Sequence, residues 1–180
     1  MSGIERAAVF LDRDGTLIKD TGYVADPAEV ELTAGAGEAL SALRDAGFRL
    51  ALVSNQSGIG RGYFTWEQAQ AVHARFAAEL ARHGIGLDDV RYCPHLPDAG
   101  CSCRKPAPGA LIDSAERLDV DLAESFMIGD SITDVQAGRA AGCRTVVVGE
   151  DREAGQAADL YARDWAGVVE WITAEATRPR

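Results

Sequence analysis

The chain has 180 residues, of which 28 are acidic and 18 basic, and its formal net charge is −10. An acidic chain is not expected to bind nucleic acid or an anionic membrane, because both attract basic surfaces. A length of 180 residues suits one domain over 1–180. No apolar run approaches the roughly 18 residues of a membrane span, and residues 1–10 lack the apolar core of a signal peptide, so we expect the protein in the cytoplasm.

The first predicted strand, Ala7–Leu11, ends at two carboxylates, Asp12 and Asp14. Ligands of open α/β sheets bind at this end of the strands, and alternating side chains would point both carboxylates the same way. One could attack phosphorus while the other moves protons, and a third acid could join them in holding Mg²⁺. An ordinary surface turn or a calcium loop has the same local pattern.

A helix over Gly37–Asp45 should precede the second strand, Phe48–Val53, after which come Ser54 and Asn55. Hydroxyl and backbone N–H donors at that strand end could bind phosphoryl oxygens, although a simple turn is the alternative.

The sequence Thr65-Trp66-Glu67-Gln68 reads as a capping box that opens the next helix. Its apolar stripe is predicted to face the core, and His73 and His83 are given no functional role. The stripe consists of Trp66, Ala69, Val72 or His73, Phe76 and Leu80.

A third strand, Val90–Tyr92, leads into a loop over 93–103 that contains three of the four cysteines and one of the three histidines. Three thiolates and an imidazole can complete a tetrahedral structural Zn²⁺ site. A disulfide, which a reducing cytosol disfavours, and free thiols are the alternatives. The proposed ligands are Cys93, His95, Cys101 and Cys103, whereas Cys143 reads as a small buried residue.

Arg104 and Lys105 follow this loop directly, and Pro108–Leu118 is predicted as a helix. Lys105 would compensate the charge of the nucleophile and the phosphoryl group, and Arg104 could bind substrate oxygens or simply lie on the surface. After the strand Phe126–Ile128 comes Asp130, which is suited to bind Mg²⁺.

Asp134, one helical turn further along, could be a ligand, a support for one, or a carboxylate on a helix face. A fifth strand, Thr145–Val148, and a closing helix around 165–172 complete the pattern. Strands alternating with helices indicate an α/β, doubly wound parallel sheet of the Rossmann-like kind. The intervals 14–54 and 57–105 leave no room for a separate cap domain.

Four segments in this order resemble the motifs of the haloacid dehalogenase-like phosphatases over nearly the whole chain. They are Asp12-Arg13-Asp14-Gly15-Thr16, Ser54-Asn55-Gln56-Ser57-Gly58, Arg104-Lys105-Pro106 and Gly129-Asp130-Ser131-Ile132-Thr133-Asp134. The resemblance implies that Asp12 forms an aspartyl-phosphate and that Asp14 protonates the leaving oxygen and then activates water. Mg²⁺ would be held by Asp12, Asp130 and the backbone carbonyl of Asp14.

The cysteine-rich loop narrows the resemblance to the zinc-containing branch of this family, whose members act on heptose bisphosphates or on histidinol phosphate. The segments 54–64 and 104–109 are similar to the heptose enzymes, while the short interval between His95 and Cys101 is similar to the histidinol enzymes. Many heptose enzymes also carry a proline where this chain has Ala34. The branch therefore implies a small phosphorylated substrate, most closely the 7-phosphate of a heptose 1,7-bisphosphate, with histidinol phosphate as the alternative.

Residues expected to contact this substrate lie on the loop after the first motif, in the second motif and the loop that continues it, and in the third motif. They are Asp20, Thr21, Gly22, Tyr23, Ser54, Asn55, Gln56, Ser57, Arg61, Arg104 and Lys105. We expect a monomer. A non-catalytic, zinc-stabilised binding module on the same fold is the alternative from a different functional class.

Overall fold

In the computed structural model, residues 6–178 are described; residues 1–5 and 179–180 of the expected domain lie outside them. Six parallel strands form one sheet in the order β3-β2-β1-β4-β5-β6. The strands are β1 Ala8–Leu11, β2 Arg49–Asn55, β3 Asp89–Cys93, β4 Phe126–Gly129, β5 Arg144–Val148 and β6 Leu160–Ala162. The predicted α/β class and parallel sheet are confirmed.

A helix follows each of the six strands. The helices are α1 Ala36–Asp45, α2 Ser57–Gly60, α3 Trp66–Ala81, α4 Gly109–Leu118, α5 Ile132–Ala141, α6 Arg152–Ala157 and α7 Trp165–Ala176, with short 3₁₀ turns at Pro27–Glu29 and Leu122–Glu124. The predicted capping box is confirmed, because Gln68 N donates to Thr65 Oγ1 over 3.2 Å and Thr65 N donates to Gln68 Oε1 over 2.8 Å.

Side chains that alternate along β1 divide the core into two faces. Val9 and Leu11 pack in the cluster that contains apolar residues of α1, α3 and α7, whereas Ala8 and Phe10 pack in the cluster that contains residues of α4. A strand covered on both faces is apolar at every position, which explains why the first strand reads as an unbroken hydrophobic run.

The strand order reverses next to β1, whose two neighbours are β2 and β4. In a doubly wound sheet this switch point opens a crevice beyond the carboxyl ends of the strands, because the following loops leave in opposite directions. The crevice therefore lies where Asp12 follows β1 and Asp130 follows β4.

Two expectations differ from the structure. Trp66, expected in the core stripe of α3, is 43% exposed, because it is the first residue of the helix and precedes the buried positions, which begin at Ala69. The three-residue strand β6 was not predicted, since a strand this short at a sheet edge carries almost no periodic signal.

No separate cap domain interrupts the part of the chain that the structure describes, in agreement with the sequence intervals. Within residues 6–178, none of the helices is long and apolar enough to cross a bilayer.

Candidate active site

The centre of the crevice is a buried lysine held between two carboxylates. Lys105 is only 3% exposed, and its Nζ lies 2.6 Å from Asp12 Oδ1 and 2.6 Å from Asp134 Oδ1. It also donates to the carbonyl oxygen of Val53 over 2.8 Å. A buried ammonium needs such partners, because an unpaired charge in the interior is very costly.

Burial and charge act in opposite directions on these groups. Burial by itself lowers the pKa of Lys105, but the carboxylates of Asp12 and Asp134 outweigh it and hold that pKa above its usual value. Burial raises the pKa of Asp12 against the opposing effect of Lys105. Burial, followed by the charge of Asp134, raises the pKa of Asp130 to about 6. Because three carboxylates, those of Asp12, Asp130 and Asp134, surround the single ammonium group of Lys105, the crevice carries an excess of negative charge.

A turn at Gly15 brings the first-motif loop against Asp130. Gly15 has φ +82°, and a Cβ there would lie 2.3 Å from Asp130 Oδ2, so a larger residue would displace this carboxylate. Thr16 Oγ1 donates to Asp130 Oδ1 over 3.3 Å. Oxygen atoms of Asp12, Asp130 and Asp134 all lie within 4.8 Å of one another, which fits a divalent cation with hard oxygen ligands.

Asp134 is engaged through both of its oxygens. Oδ2 accepts from the backbone N–H and the hydroxyl of Ser131, and Oδ1 pairs with Lys105. A Cβ on Gly129 would lie 2.2 Å from the Asp134 carboxylate, so this glycine makes room for it. These contacts favour a supporting role for Asp134, with Asp12 and Asp130 better placed to bind the metal directly.

The Asp14 carboxylate is held by two side chains. Arg13 donates from Nε to Oδ1 over 2.9 Å and from Nη2 to Oδ2 over 3.1 Å, and Gln56 Nε2 donates to Oδ2 over 2.6 Å. Gln56 also donates to Ser54 Oγ over 2.9 Å, which links the first and second motifs.

The Asn55 side chain binds the backbone of Lys105 in both directions. Nδ2 donates to the Lys105 carbonyl over 3.0 Å, and the Lys105 N–H donates to Oδ1 over 3.1 Å. The amide of Asn55 therefore fixes the third-motif loop.

These motifs share one cavity of about 220 Å³ at the carboxyl edge of the sheet. It is lined by Asp12, Asp14, Asp20, Ser54, Asn55, Lys105, Asp130, Ser131, Thr133 and Asp134. A neighbouring cavity of about 230 Å³ is lined by Asp14, Asp20, Gly22, Tyr23, Val24, Asn55, Gln56 and Ser57. On the other side, a cavity of about 370 Å³ is lined by Pro97, Gly100, Cys101, Arg104, Lys105, Pro106, Ala107 and Thr133.

Two of the expected substrate contacts lie away from these cavities. Thr21 lies in the flap, the segment 17–35 between the first motif and α1, and donates its hydroxyl to Glu29 Oε2 over 2.6 Å. Arg61 is exposed at the end of α2. Neither lines any of the three cavities. Tyr23 instead contacts Tyr63 edge to face, with ring centroids 4.8 Å apart, so the flap touches the loop after α2.

The cysteine-rich loop has the dimensions of a tetrahedral zinc site. Cys101 Sγ lies 3.7 Å from Cys93 Sγ and 3.6 Å from Cys103 Sγ, and His95 Nδ1 lies 3.5 Å and 3.3 Å from Cys93 and Cys103. Zn–S bonds of about 2.3 Å and Zn–N bonds of about 2.0 Å would place two tetrahedral sulfur ligands about 3.8 Å apart and a sulfur and a nitrogen ligand about 3.5 Å apart. All four cysteines are free thiols, and these sulfur separations are too long for a disulfide.

Sequence reasoning missed three residues behind the site. The sequence analysis gives none of them a role: Arg13 is only part of the first motif, Tyr92 is only the end of a strand, and His73 is only a possible member of the core stripe of α3. In the structure the three are in contact beside Asp14. The alternation of strand side chains could have indicated that Arg13 points away from Asp12 into the protein. Nothing local in the sequence pairs His73 with Tyr92, because the two come from a helix and a strand 19 residues apart.

Comparisons with known proteins agree with this geometry. A family profile described as HAD-hydrolase-like matches residues 102–173. Two curated D-glycero-beta-D-manno-heptose-1,7-bisphosphate 7-phosphatases are similar to this chain. The one from Photorhabdus laumondii is 44% identical to it over 177 residues, which cover 92% of this chain and 94% of that protein. The one from Yersinia pestis is 41% identical to it over 165 residues, which cover 88% of each.

A solved structure is also similar. The D,D-heptose 1,7-bisphosphate phosphatase of B. bronchiseptica, complexed with magnesium and phosphate, superposes with a TM-score of 0.84 at 37% identity, over 94% of this chain and 99% of that one.

Replacing Gly129 with alanine should disable the site without unfolding the sheet. The added methyl group would meet the Asp134 carboxylate and displace it from Lys105, so we expect the kcat for p-nitrophenyl phosphate to fall by at least about a hundredfold, as when a positioned charge is misplaced. Gly86→Ala is the control, because a Cβ at Gly86 meets nothing within 4 Å. Equal kcat values for the two variants, with melting temperatures near that of the parent, would contradict this role for Gly129.

Proposed function

The chain belongs to the haloacid dehalogenase-like phosphatases, in the group of the D-glycero-D-manno-heptose-1,7-bisphosphate 7-phosphatases, and we propose that it hydrolyses the 7-phosphate of that sugar bisphosphate with Mg²⁺. The observation that carries this proposal is the buried Asp12–Lys105–Asp134 cluster at the switch point of the sheet. An arginine-lined cavity adjoins the cluster and offers a place for a second phosphate.

In the proposed reaction, the carboxylate of Asp12 attacks phosphorus in line and forms an aspartyl-phosphate while the bond to the sugar oxygen breaks. Asp14 gives its proton to that leaving oxygen. It then takes a proton from a water molecule that attacks the same phosphorus, which releases inorganic phosphate and regenerates Asp12.

Asp12, Asp130 and the backbone carbonyl of Asp14 would hold Mg²⁺. When bound, the cation neutralises negative charge on the phosphoryl oxygens. Lys105 supplies a second positive charge beside Asp12, and the hydroxyl of Ser54 and the backbone N–H of Asn55 can donate to phosphoryl oxygens.

The substrate would extend from this centre along the adjoining loops. Asp20, Gly22 and Tyr23 of the flap line the same cavity as Gln56 and Ser57, which supports a role for that cavity in binding sugar hydroxyls. The other flap residue, Thr21, is engaged with Glu29 and would act by shaping the flap.

Arg104 is the better candidate for the remote phosphate. It lines the cavity that shares Lys105 and Thr133 with the catalytic one, and its Nη1 donates to the carbonyl of His95 over 3.3 Å, leaving further donors of the guanidinium available. Arg61 lines none of the three cavities, so a contact with substrate would require its long side chain to reach across the loop.

We also propose that Cys93, His95, Cys101 and Cys103 bind one structural Zn²⁺, because their separations suit a closed tetrahedral shell. Thiolates of this kind persist in a reducing compartment, which supports a cytoplasmic enzyme. A single domain over 1–180 that works as a monomer completes the proposal.

The substrate assignment predicts a strong preference for the bisphosphate. The ratio of kcat/KM for the heptose bisphosphate to that for histidinol phosphate should be at least about a hundred, the scale on which a charged contact discriminates. Arg104→Gln should reduce this ratio while hydrolysis of p-nitrophenyl phosphate changes little, since that small ester has no second phosphate. Arg82→Gln, an exposed change at the end of α3, is the control. Equal or better turnover of histidinol phosphate by the parent enzyme would overturn the assignment.

Asp12→Asn should abolish turnover while the protein stays folded. Loss of a nucleophile costs several orders of magnitude in kcat, on the order of 10⁴-fold or more. The matched control is Asp119→Asn, because Asp119 is exposed in a left-handed conformation that asparagine tolerates. After brief reaction with substrate in ¹⁸O water, the parent should release labelled phosphate. A kcat of Asp12→Asn within about tenfold of that of the parent would exclude Asp12 as the nucleophile.

Cys101→Ser should reduce bound zinc from about one atom per chain and lower the melting temperature, because a structural zinc site contributes directly to folding. Added Mg²⁺ should not restore either property. Cys143→Ala, which removes a thiol outside the cluster, should keep the zinc. A parent protein that purifies without zinc, yet is as stable and active as the zinc-loaded form, would refute the zinc proposal.

A further inference from the structure

A fully buried arginine lies between the two aspartates of the first motif. Arg13 has 0% exposure, although arginine is almost never buried without partners. It follows the apolar strand β1, in the turn between Asp12 and Asp14. Such a charge must be compensated by specific contacts, and the nature of those contacts indicates what the residue does.

The first contact is with Asp14. Arg13 presents Nε and Nη2 to the two carboxylate oxygens at 2.9 Å and 3.1 Å, the parallel two-bond geometry that a planar guanidinium makes with a planar carboxylate. Rotation about the last bond of an aspartate is otherwise broad. Two parallel hydrogen bonds therefore fix the plane of the Asp14 carboxylate as well as its position, which a lysine could not do.

The second contact is with Tyr92 on β3. Arg13 Nη1 donates to the Tyr92 hydroxyl over 3.4 Å, and the guanidinium carbon lies 5.5 Å from the centre of the Tyr92 ring. Since a guanidinium can only donate, the hydroxyl accepts this bond and keeps its own proton for another partner.

That partner is His73 on α3, whose Nδ1 lies 2.9 Å from the Tyr92 oxygen. The tyrosine proton is thus donated to Nδ1, which must be unprotonated to accept it. Burial, reinforced by the positive charge of Arg13, lowers the pKa of His73 and so favours the neutral ring. The direction of every hydrogen bond from Asp14 back to the helix is then determined.

We propose that Arg13, Tyr92 and His73 form a positioning relay that fixes the orientation of the Asp14 carboxylate for proton transfer to the leaving oxygen. None of the three lines the cavities around the site, so each acts through Asp14 and does not touch substrate. The relay rests on the proposed function in one respect only, namely that Asp14 is the acid.

Loss of orientation should matter most where the leaving oxygen needs a proton. Phenyl phosphate releases a strongly basic phenolate and depends on the acid, whereas p-nitrophenyl phosphate, of similar shape, releases a weakly basic one. The value of kcat/KM reports steps up to departure of the leaving group, so the ratio of the two values isolates proton donation from later hydrolysis of the aspartyl-phosphate. General damage to the fold would lower both values together.

Two variants test the relay. Arg13→Lys keeps the charge but loses the paired bonds, and should lower kcat/KM for phenyl phosphate about a hundredfold, the scale of a misplaced catalytic group, with less than about a fivefold change for p-nitrophenyl phosphate. Tyr92→Phe keeps the ring under Arg13 but loses the hydroxyl, and should give about a tenfold selective loss, within the range of a single positioning contact. If Arg13→Lys does not fold, Tyr92→Phe decides the matter.

Tyr161→Phe is the matched control, because it removes a tyrosine hydroxyl that donates to the Gly149 carbonyl over 3.0 Å outside this cluster. Asp14→Asn is the reference and should show the largest selective loss. Suppose that Asp14→Asn lowers kcat/KM selectively for phenyl phosphate, but that Tyr92→Phe behaves like Tyr161→Phe and a folded Arg13→Lys lowers kcat/KM equally for both esters. The relay is then wrong and the role of Asp14 stands. If Asp14→Asn itself affects both esters equally, the proposed acid is wrong, and the relay with it. Neither result depends on the identity of the sugar.

Discussion

The ammonium group of Lys105, buried between Asp12 and Asp134, is the interaction on which the rest of this site depends. A carboxylate as enclosed as that of Asp12 would otherwise take up a proton and lose its nucleophilic character, because burial raises its pKa. Lys105 opposes that effect from 2.6 Å and stays protonated because two carboxylates surround it. Removing either partner would leave an uncompensated buried charge, so the three residues act as one unit.

Much of the surrounding backbone serves to bring this lysine into place. The loop that carries it is tied to β2 by the side chain of Asn55 and by a bond from Gln56 N to the Cys93 carbonyl over 2.7 Å. A further bond, from Gly60 N to the Pro94 carbonyl over 3.0 Å, joins α2 to the start of the cysteine-rich loop. A zinc ion closing that loop would stiffen the segment directly before Lys105, which connects a remote structural metal to the chemistry of Asp12.

The sequence locates site residues best where a polar residue follows an apolar strand directly. Carboxylates directly after apolar strands, such as Asp12 and Asp130, could be located from the sequence because strand ends converge at one edge of a parallel sheet. The roles of the individual residues within the site could not be predicted in this way. Whether Asp134 supports or binds the metal depends on the pairing of its oxygens with Ser131 and Lys105, and the role of His73 depends on the packing of α3 against β3. Such tertiary contacts leave no periodic signal in the chain.

The charge of the crevice explains why a phosphatase of this design needs a divalent cation. Three carboxylates, those of Asp12, Asp130 and Asp134, surround the single ammonium group of Lys105, while Arg13 is paired with Asp14. A doubly charged phosphate ester would be repelled from a site with this excess. The pKa of Asp130 is raised mainly by burial, and the charge of Asp134 adds to that effect. A divalent ion cancels the excess, so the incoming phosphoryl group meets a nearly neutral pocket while Lys105 still faces the nucleophile. Arg13 is buried and bound to Asp14 and Tyr92, so it cannot neutralise the phosphoryl group. A cation for a second phosphate must therefore come from the loops. Arg104 is placed for this, because it lines the cavity that shares Lys105 and Thr133 with the catalytic one.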